Sequence, residues 1–234
     1  MNDFVQHMPT EVVFGKEAES RTGEEAKRFG ATKVLIVYGG GSAKKSGLIE
    51  RIEKSLKDSG IAYSEYGGVK PNPLLGFAEE GVKKAVDFNA DMIIAAGGGS
   101  VIDTAKGIAH GAANKGTDLW DIWTKKVPLT RSLPVGAVLT IPAAGSEMSD
   151  SAVLTNEKIC KKAGINSDLN RCVFAVMNPE LALTIPDYQL KCGITDIMMH
   201  TMERYFIPGI KCDLTDSIAE GLLRTVRDNG RMAI

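Results

Sequence analysis

Two residues in the run TDIMMHTMERYF have the types and the spacing to do chemistry: Asp196 and His200. On a helix, positions four apart lie one above the other on the same face. A carboxylate and an imidazole placed that way can grip one divalent cation from one side. Catalytic metal sites take three or four protein ligands and keep one position open. No histidine follows His200 in the 234 residues, so this chain offers half of such a set. Carboxylate plus imidazole suits Fe(II), Zn or Mn and does not name the metal.

The second group of candidates is two near-copies of one glycine turn. YGGGSAKK spans residues 38–45 and AGGGSVIDTAK spans 96–106. Each follows an apolar run and precedes a helical pattern. Amides at a helix N-terminus point outward without partners. The helix dipole adds partial positive charge, and glycine lets an anion approach the main chain, so such corners are natural phosphate sites. Neither copy completes G-x-G-x-x-G, because Lys44 and Ile102 stand in the last position. The glycines and the serine of each turn are therefore candidate phosphate contacts, with a purely structural tight turn as the alternative. Ser100-x-x-Asp103 also reads as a capping box with an acidic partner. Asp103 is placed with the cofactor corner, and Lys106 is positioned to pair with it on the surface. Val101, Ala105, Ile108 and Ala112 form a buried stripe, and His110 falls on another face as a surface or satisfied histidine. No acidic residue follows the first turn to hold a ribose 2′-hydroxyl. Ser42, Lys44 and Lys45 are there instead and suit a 2′-phosphate, which favours NADP, with NAD possible.

The elements that must position these groups alternate. Strands are expected at Lys33–Tyr38, Ala62–Tyr66, Asp91–Ala96, Gly136–Ile141 and Phe174–Met177, as dense apolar or branched runs. Helices are expected at Lys45–Ser59, Phe77–Asn89 and Ser100–Ala113 from 3.6-residue periodicity. Pro71-Asn72-Pro73 must be a loop. This alternation gives an α/β fold with a parallel sheet wrapped by helices. From Asp187 onward only helices are expected, over Asp187–Phe206 and Asp213–Asn229. The expected organisation is an α/β dinucleotide-binding domain over residues 1–185 and the first helices of an all-helical metal-binding domain, incomplete, over 186–234. Two helices cannot close a core alone, so apolar surface should be uncovered at Ile194, Ile197, Met198, Leu222 and Leu223. A homodimer is the expected way to cover it.

Composition narrows the classes. With 28 basic and 29 acidic residues the formal charge is −1, which argues against an electrostatic nucleic-acid binder. No basic amphipathic helix and no long apolar run suggests a membrane partner. The opening MNDFVQHMPTEVVFG lacks the charged and apolar regions of a secretory signal, so a cytoplasmic location is expected. Cys160, Cys172, Cys192 and Cys212 form no C-x-x-C pair and read as reduced thiols.

GGGSVIDTAK, TIPAAGSEMSDSAVLTNE, VMNPELALTIPDYQ and GITDIMMHTMERYF occur in this order. Together they resemble the iron-containing (group III) alcohol dehydrogenases, in particular the butanol dehydrogenase subgroup, along the whole chain. The resemblance implies an NAD(P)-dependent, metal-dependent alcohol dehydrogenase or aldehyde reductase that moves a hydride between nicotinamide and a primary alcohol such as butanol. It implies Fe(II) as the metal, with Zn as the substitute, and a small alcohol or aldehyde as partner. Family members are much longer, and this chain looks like their first domain plus about two helices. By the same resemblance Gly40 and Ser42 flank the adenosine ribose or its 2′-phosphate, and Gly97, Gly98, Gly99 and Ser100 form the pyrophosphate loop. Thr140 and Ser149 line the nicotinamide ribose, Lys162 contacts the cofactor, and Asp196 and His200 are the first two metal ligands. The other two ligands of the family are histidines that this chain does not contain. Two other readings stand beside this one: a dinucleotide-binding module without turnover, and a glycerol-dehydrogenase-like enzyme on the same scaffold.

Overall fold

A computed structural model describes residue 5 and residues 7–209 and 212–233. The chain forms two compact units, one of residues up to Thr140 with Gly145–Glu180, the other of Ile141–Ala144 with the segment from Leu181 onward.

The first unit is built on β1 (Glu11–Phe14), α1 (Thr22–Arg28), β2 (Lys33–Tyr38), α2 (Gly41–Lys45), α3 (Leu48–Asp58), β3 (Ala62–Gly67), α4 (Leu75–Phe88), β4 (Met92–Gly97), α5 (Gly99–Ala113), α6 (Leu119–Trp123), β5 (Val135–Leu139), β6 (Ser151–Asn156), β7 (Lys161–Asn166) and β8 (Phe174–Met177). Six strands make one parallel sheet in the order β1-β8-β5-β4-β2-β3. Helices cover both faces of a parallel sheet, so its central strands are apolar throughout rather than alternating. Thus all six residues of β4 are buried, as are Val34 to Tyr38 in β2. Each fully buried Ile or Leu there contributes roughly 1.5–3 kcal/mol.

The chain direction across the sheet reverses once in a way that matters. β2 is followed by β3 on one side, and the chain then crosses back to place β4 on the other side of β2. Open α/β sheets bind ligands at such a reversal, outside the carboxyl ends of the strands. Tyr38 lies in register with Ala96, so both glycine turns leave the sheet at that point, side by side.

Several expectations need correction. The helix expected over Lys45–Ser59 is α3, which begins only at Leu48, because Gly47 takes a left-handed φ of 70° and separates it from the short α2. β1 was not anticipated, nor was the antiparallel pair of β6 and β7. Helix α5 has no single buried stripe: its residues from Val101 to Ala112 are buried except Asp103, which is half-buried. The sheet, α4 and β6 surround it. Close approach to α4 depends on glycine. A Cβ on Gly111 would sit 2.3 Å from Val82 Cγ2, and one on Gly81 would sit 2.4 Å from Ile108 Cδ1.

The second unit contains α7 (Asp187–Tyr205) and α8 (Asp213–Ala233), which pack on each other. Gly230 lies under Ile194, where a Cβ would come within 3.1 Å. Of the apolar positions expected to be uncovered, Leu222 is exposed, whereas Ile194, Ile197, Met198 and Leu223 are half-buried. Leu214 and Ile218 are exposed as well and continue the stripe of Leu222 at four-residue spacing on α8. No described helix is long and apolar enough to cross a membrane. All four cysteines are free thiols.

Candidate cofactor corner and metal-ligand pair

The second glycine corner carries the stronger geometry. Gly98 is extended and is the N-cap of α5, with no side chain capping the helix. A fifteen-residue helix thus presents its first amides and its positive dipole end to the sheet's carboxyl edge. A Cβ on Gly99 would meet nothing nearer than Ser146 Cβ at 3.9 Å, and one on Gly40 would meet nothing within 4 Å. The space over both glycines is open to a ligand. Gly97 is different, since a Cβ there would strike Val101 Cγ2 at 2.5 Å, so its glycine serves packing as well. Thr140 follows β5, and its amide donates to Gly97 O at 3.2 Å, which sets it beside the same corner.

The expected capping box is not formed. Asp103 accepts the Ser146 hydroxyl on one oxygen and the Val153 amide on the other. Burial raises its pKa despite those bonds. Lys106 is not on the surface with Asp103. It is fully buried, and its ammonium donates to the carbonyls of Ser146, Ser149 and Ser151 at 2.8, 3.2 and 2.8 Å. The reason is that β6 covers the face of α5 that the sequence would leave to solvent. His110 is a buried, satisfied histidine between Ser132 Oγ at 2.8 Å and Asn170 Oδ1 at 2.7 Å. Ser149 turns its hydroxyl inward to accept the Ser151 amide at 2.9 Å.

The first corner opens onto α2, which has only five residues, so its dipole is weak and the anion-binding weight falls on α5. Ser42 and Lys45 are exposed there. Lys44 is engaged: its ammonium meets Glu65 at 2.7 Å and lies over the Tyr38 ring. Gly67 makes room for that ring to cross β3, and the Tyr38 hydroxyl donates to Glu65 at 2.7 Å. The bond to Lys44 lowers the Glu65 pKa, while the Glu65 carboxylate raises that of Lys44. An acidic group therefore does stand beside this turn. It comes from β3, the neighbouring strand, where no reading of the turn itself would find it.

Lys162 is exposed on β7, with its Nζ 3.4 Å from Asn72 Oδ1. Asn72 adopts a left-handed φ of 59° between two prolines. It enters the neighbourhood of Lys162 although its sequence context signals only a loop. Close by, Val69, Lys70, Leu74, Phe77, Glu80 and Glu157 line a cleft of about 250 Å³. That volume is too small for a whole dinucleotide.

In the second unit, His200 Nε2 lies 3.8 Å from Asp196 Oδ1, so the two side chains face each other as their spacing requires. Glu203 Oε2 lies 3.5 Å from the other ring nitrogen. Among the described residues no group of three or more histidine, cysteine, aspartate or glutamate side chains is arranged to hold a metal. The pair supplies two donors and not a complete shell.

The family model of iron-containing alcohol dehydrogenase matches residues 9–179. NADH-dependent butanol dehydrogenase A of Clostridium acetobutylicum is 40% identical over 234 residues, which are all of this chain and 60% of that protein. The NADPH-dependent aldehyde reductase YqhD of Escherichia coli is 36% identical, again over 60% of its length. The crystal structure of a butanol dehydrogenase A from Thermotoga maritima superposes with a TM-score of 0.95 at 40% identity, covering 99% of this chain and 58% of that one. The chain thus spans about 60% of the length of the curated relatives it matches. With a matched region reaching from before β1 to the end of β8, the chain belongs to the iron-containing alcohol dehydrogenase family.

Proposed function

We propose that this chain is the dinucleotide-binding part of an NAD(P)-dependent alcohol dehydrogenase or aldehyde reductase acting on small primary alcohols, such as butanol, or their aldehydes. The observation that carries the reading is the pair of open glycine corners at the carboxyl ends of adjacent strands β2 and β4, where the strand order reverses. In this reading the α5 amides at Gly98, Gly99 and Ser100 take the pyrophosphate, with Gly97 shaping the turn. Gly40 and Ser42 take the adenosine ribose, Thr140 and Ser149 border the nicotinamide ribose, and Lys162 contacts the cofactor. Asp103 acts from beneath, by holding Ser146. When bound, the dinucleotide supplies or accepts the hydride, and the residues of this chain bind and orient it.

The first turn should discriminate weakly between NADPH and NADH. Ser42 and Lys45 favour a 2′-phosphate, but the Lys44 charge is compensated by Glu65. The names of the relatives point both ways, one NADH-dependent and one NADPH-dependent.

Asp196 and His200 are the proposed metal donors, Fe(II) first and Zn second. They fit the type of ligand but not the number. That shortfall favours a second reading for the chain by itself: a cofactor-binding module with little turnover. Each ~1.4 kcal/mol of lost transition-state stabilisation costs tenfold in rate, and half a metal shell is worth several such units. The test is titration with NADH and NADPH, together with butanol oxidation followed at the nicotinamide absorbance with Fe(II) or Zn added. Binding without turnover is expected. Absence of binding refutes the proposal, and robust metal-dependent turnover refutes the second reading.

A further inference from the structure

Lys106 is a charged side chain at the centre of α5, with none of its surface exposed. An ammonium has three N–H donors. All three are spent on one segment, through the loop carbonyls of Ser146 and Ser149 and that of Ser151 at the start of β6. Three positions earlier on the same helix, Asp103 takes that segment's donors, the Ser146 hydroxyl and the Val153 amide. Asp103 and Lys106 are suitably spaced for an ion pair, yet their hydrogen bonds go to residues 146–153 instead of to each other. Each is used on the loop, one for its acceptors and one for its donors. Burying an ammonium is unfavourable unless every proton finds an acceptor. An unbranched apolar chain would fill the same space without that demand, so the charge has its use in the shape it imposes on the loop. The loop lies against the cofactor corner, since Ser146 Cβ is the nearest atom to a Cβ built on Gly99.

We propose that Lys106 is a positioning residue for the cofactor: its ammonium gathers the carbonyls of Ser146, Ser149 and Ser151 and fixes the loop that carries Ser149 beside the α5 corner. The proposal rests on the dinucleotide reading above. It separates the two halves of the ligand. The adenosine and pyrophosphate groups use the glycine corners, which Lys106 does not touch, whereas the nicotinamide half needs the loop.

The experiment compares ADP and NADH binding by calorimetry in wild type, K106Q and K106M, with amide hydrogen exchange measured on the free proteins. Methionine removes all three donors, and glutamine keeps two. For K106M the Kd for NADH should rise about tenfold or more, and for K106Q by less, while ADP affinity stays within about twofold. Exchange should accelerate at 146–151 and not along α5. Equal weakening of both ligands with faster exchange throughout α5 would show a merely structural lysine and overturn the proposal. So would unchanged NADH affinity in both variants. If K106M fails to fold, K106Q decides by the same criteria. A wild-type chain that binds neither ligand would overturn the dinucleotide reading itself, and this inference with it.

Discussion

Protonation of His110 should cost this protein a defined part of its stability between about pH 6.5 and pH 4. The ring is fully buried, and burial together with the nearby Lys106 charge lowers its pKa from 6.5 to about 4, against an opposing bond from Asn170. The hydrogen bonds fix the tautomer. Asn170 spends its amide protons on Asp150 O and Ile165 O, so its Oδ1 faces the ring and requires a proton on Nε2. Nδ1 then faces the Ser132 hydroxyl, whose single proton has two acceptors at 2.8 Å, Nδ1 and Leu133 O. Above the unfolded value both states are neutral and stability is at its full level. As pH falls, the unfolded chain binds a proton that the folded chain refuses, and stability drops until the folded pKa is passed. The shift from 6.5 to about 4 amounts to roughly 3 kcal/mol in the limit, at about 1.4 kcal/mol per unit. Urea unfolding of wild type and His110→Gln at several pH values isolates this contribution from that of the carboxylates. Trp123, with its ring 5.8 Å from His110, is a local fluorescence reporter. The stability of wild type relative to the variant should fall by about 2.5 kcal/mol between about pH 7.5 and pH 4.5. A difference independent of pH, or one that grows on acidification, would rule out a lowered His110 pKa in the folded protein. So would a His110 proton resonance that titrates near pH 6.5.

Glu65→Gln leaves Lys44 without its carboxylate, and the Kd ratio of NADH to NADPH should move roughly threefold to tenfold in favour of NADPH, an effect that added salt should weaken. Gly111→Ala drives a methyl group into Val82 and should cost about 1–3 kcal/mol in urea unfolding. Gly40→Ala and Gly99→Ala enter open space and should change stability by less than about 1 kcal/mol while weakening ADP and NADH binding about tenfold. The exposed stripe of Leu214, Ile218 and Leu222 should make the chain self-associate in sizing chromatography, and replacing Ile218 with Glu should shift it towards monomer.

Much of this architecture can be read from residue order. β2 and β4 are unbroken apolar runs because both their faces are covered, and each ends in glycines that permit a turn. β6 and β7 are harder, since SAVLTN and KKAGIN mix lysine, asparagine and glycine on a pair with one open face. Gly47 gives no warning that it ends a helix, because a glycine within a helical pattern is usually tolerated. The candidate site divides in the same way. Glycine corners are local features and are visible as such. Lys106 and Glu65 owe their roles to elements remote in sequence, β6 and the Tyr38–Lys44 pair, and no local pattern marks a lysine for burial or a strand glutamate for a neighbouring turn. Asn72 is hidden because two flanking prolines explain its loop without any reference to a ligand. Asp196 and His200 are the opposite case. Their spacing alone sets them face to face on α7, yet the number of donors a metal needs is not a property of spacing.

The most direct test of the account is amide hydrogen exchange of this chain with and without ADP-ribose. Protection should appear together at residues 39–42 and 97–100, the two turns that leave β2 and β4. Absence of binding, or protection confined to the cleft lined by Val69, Phe77 and Glu157, would contradict it.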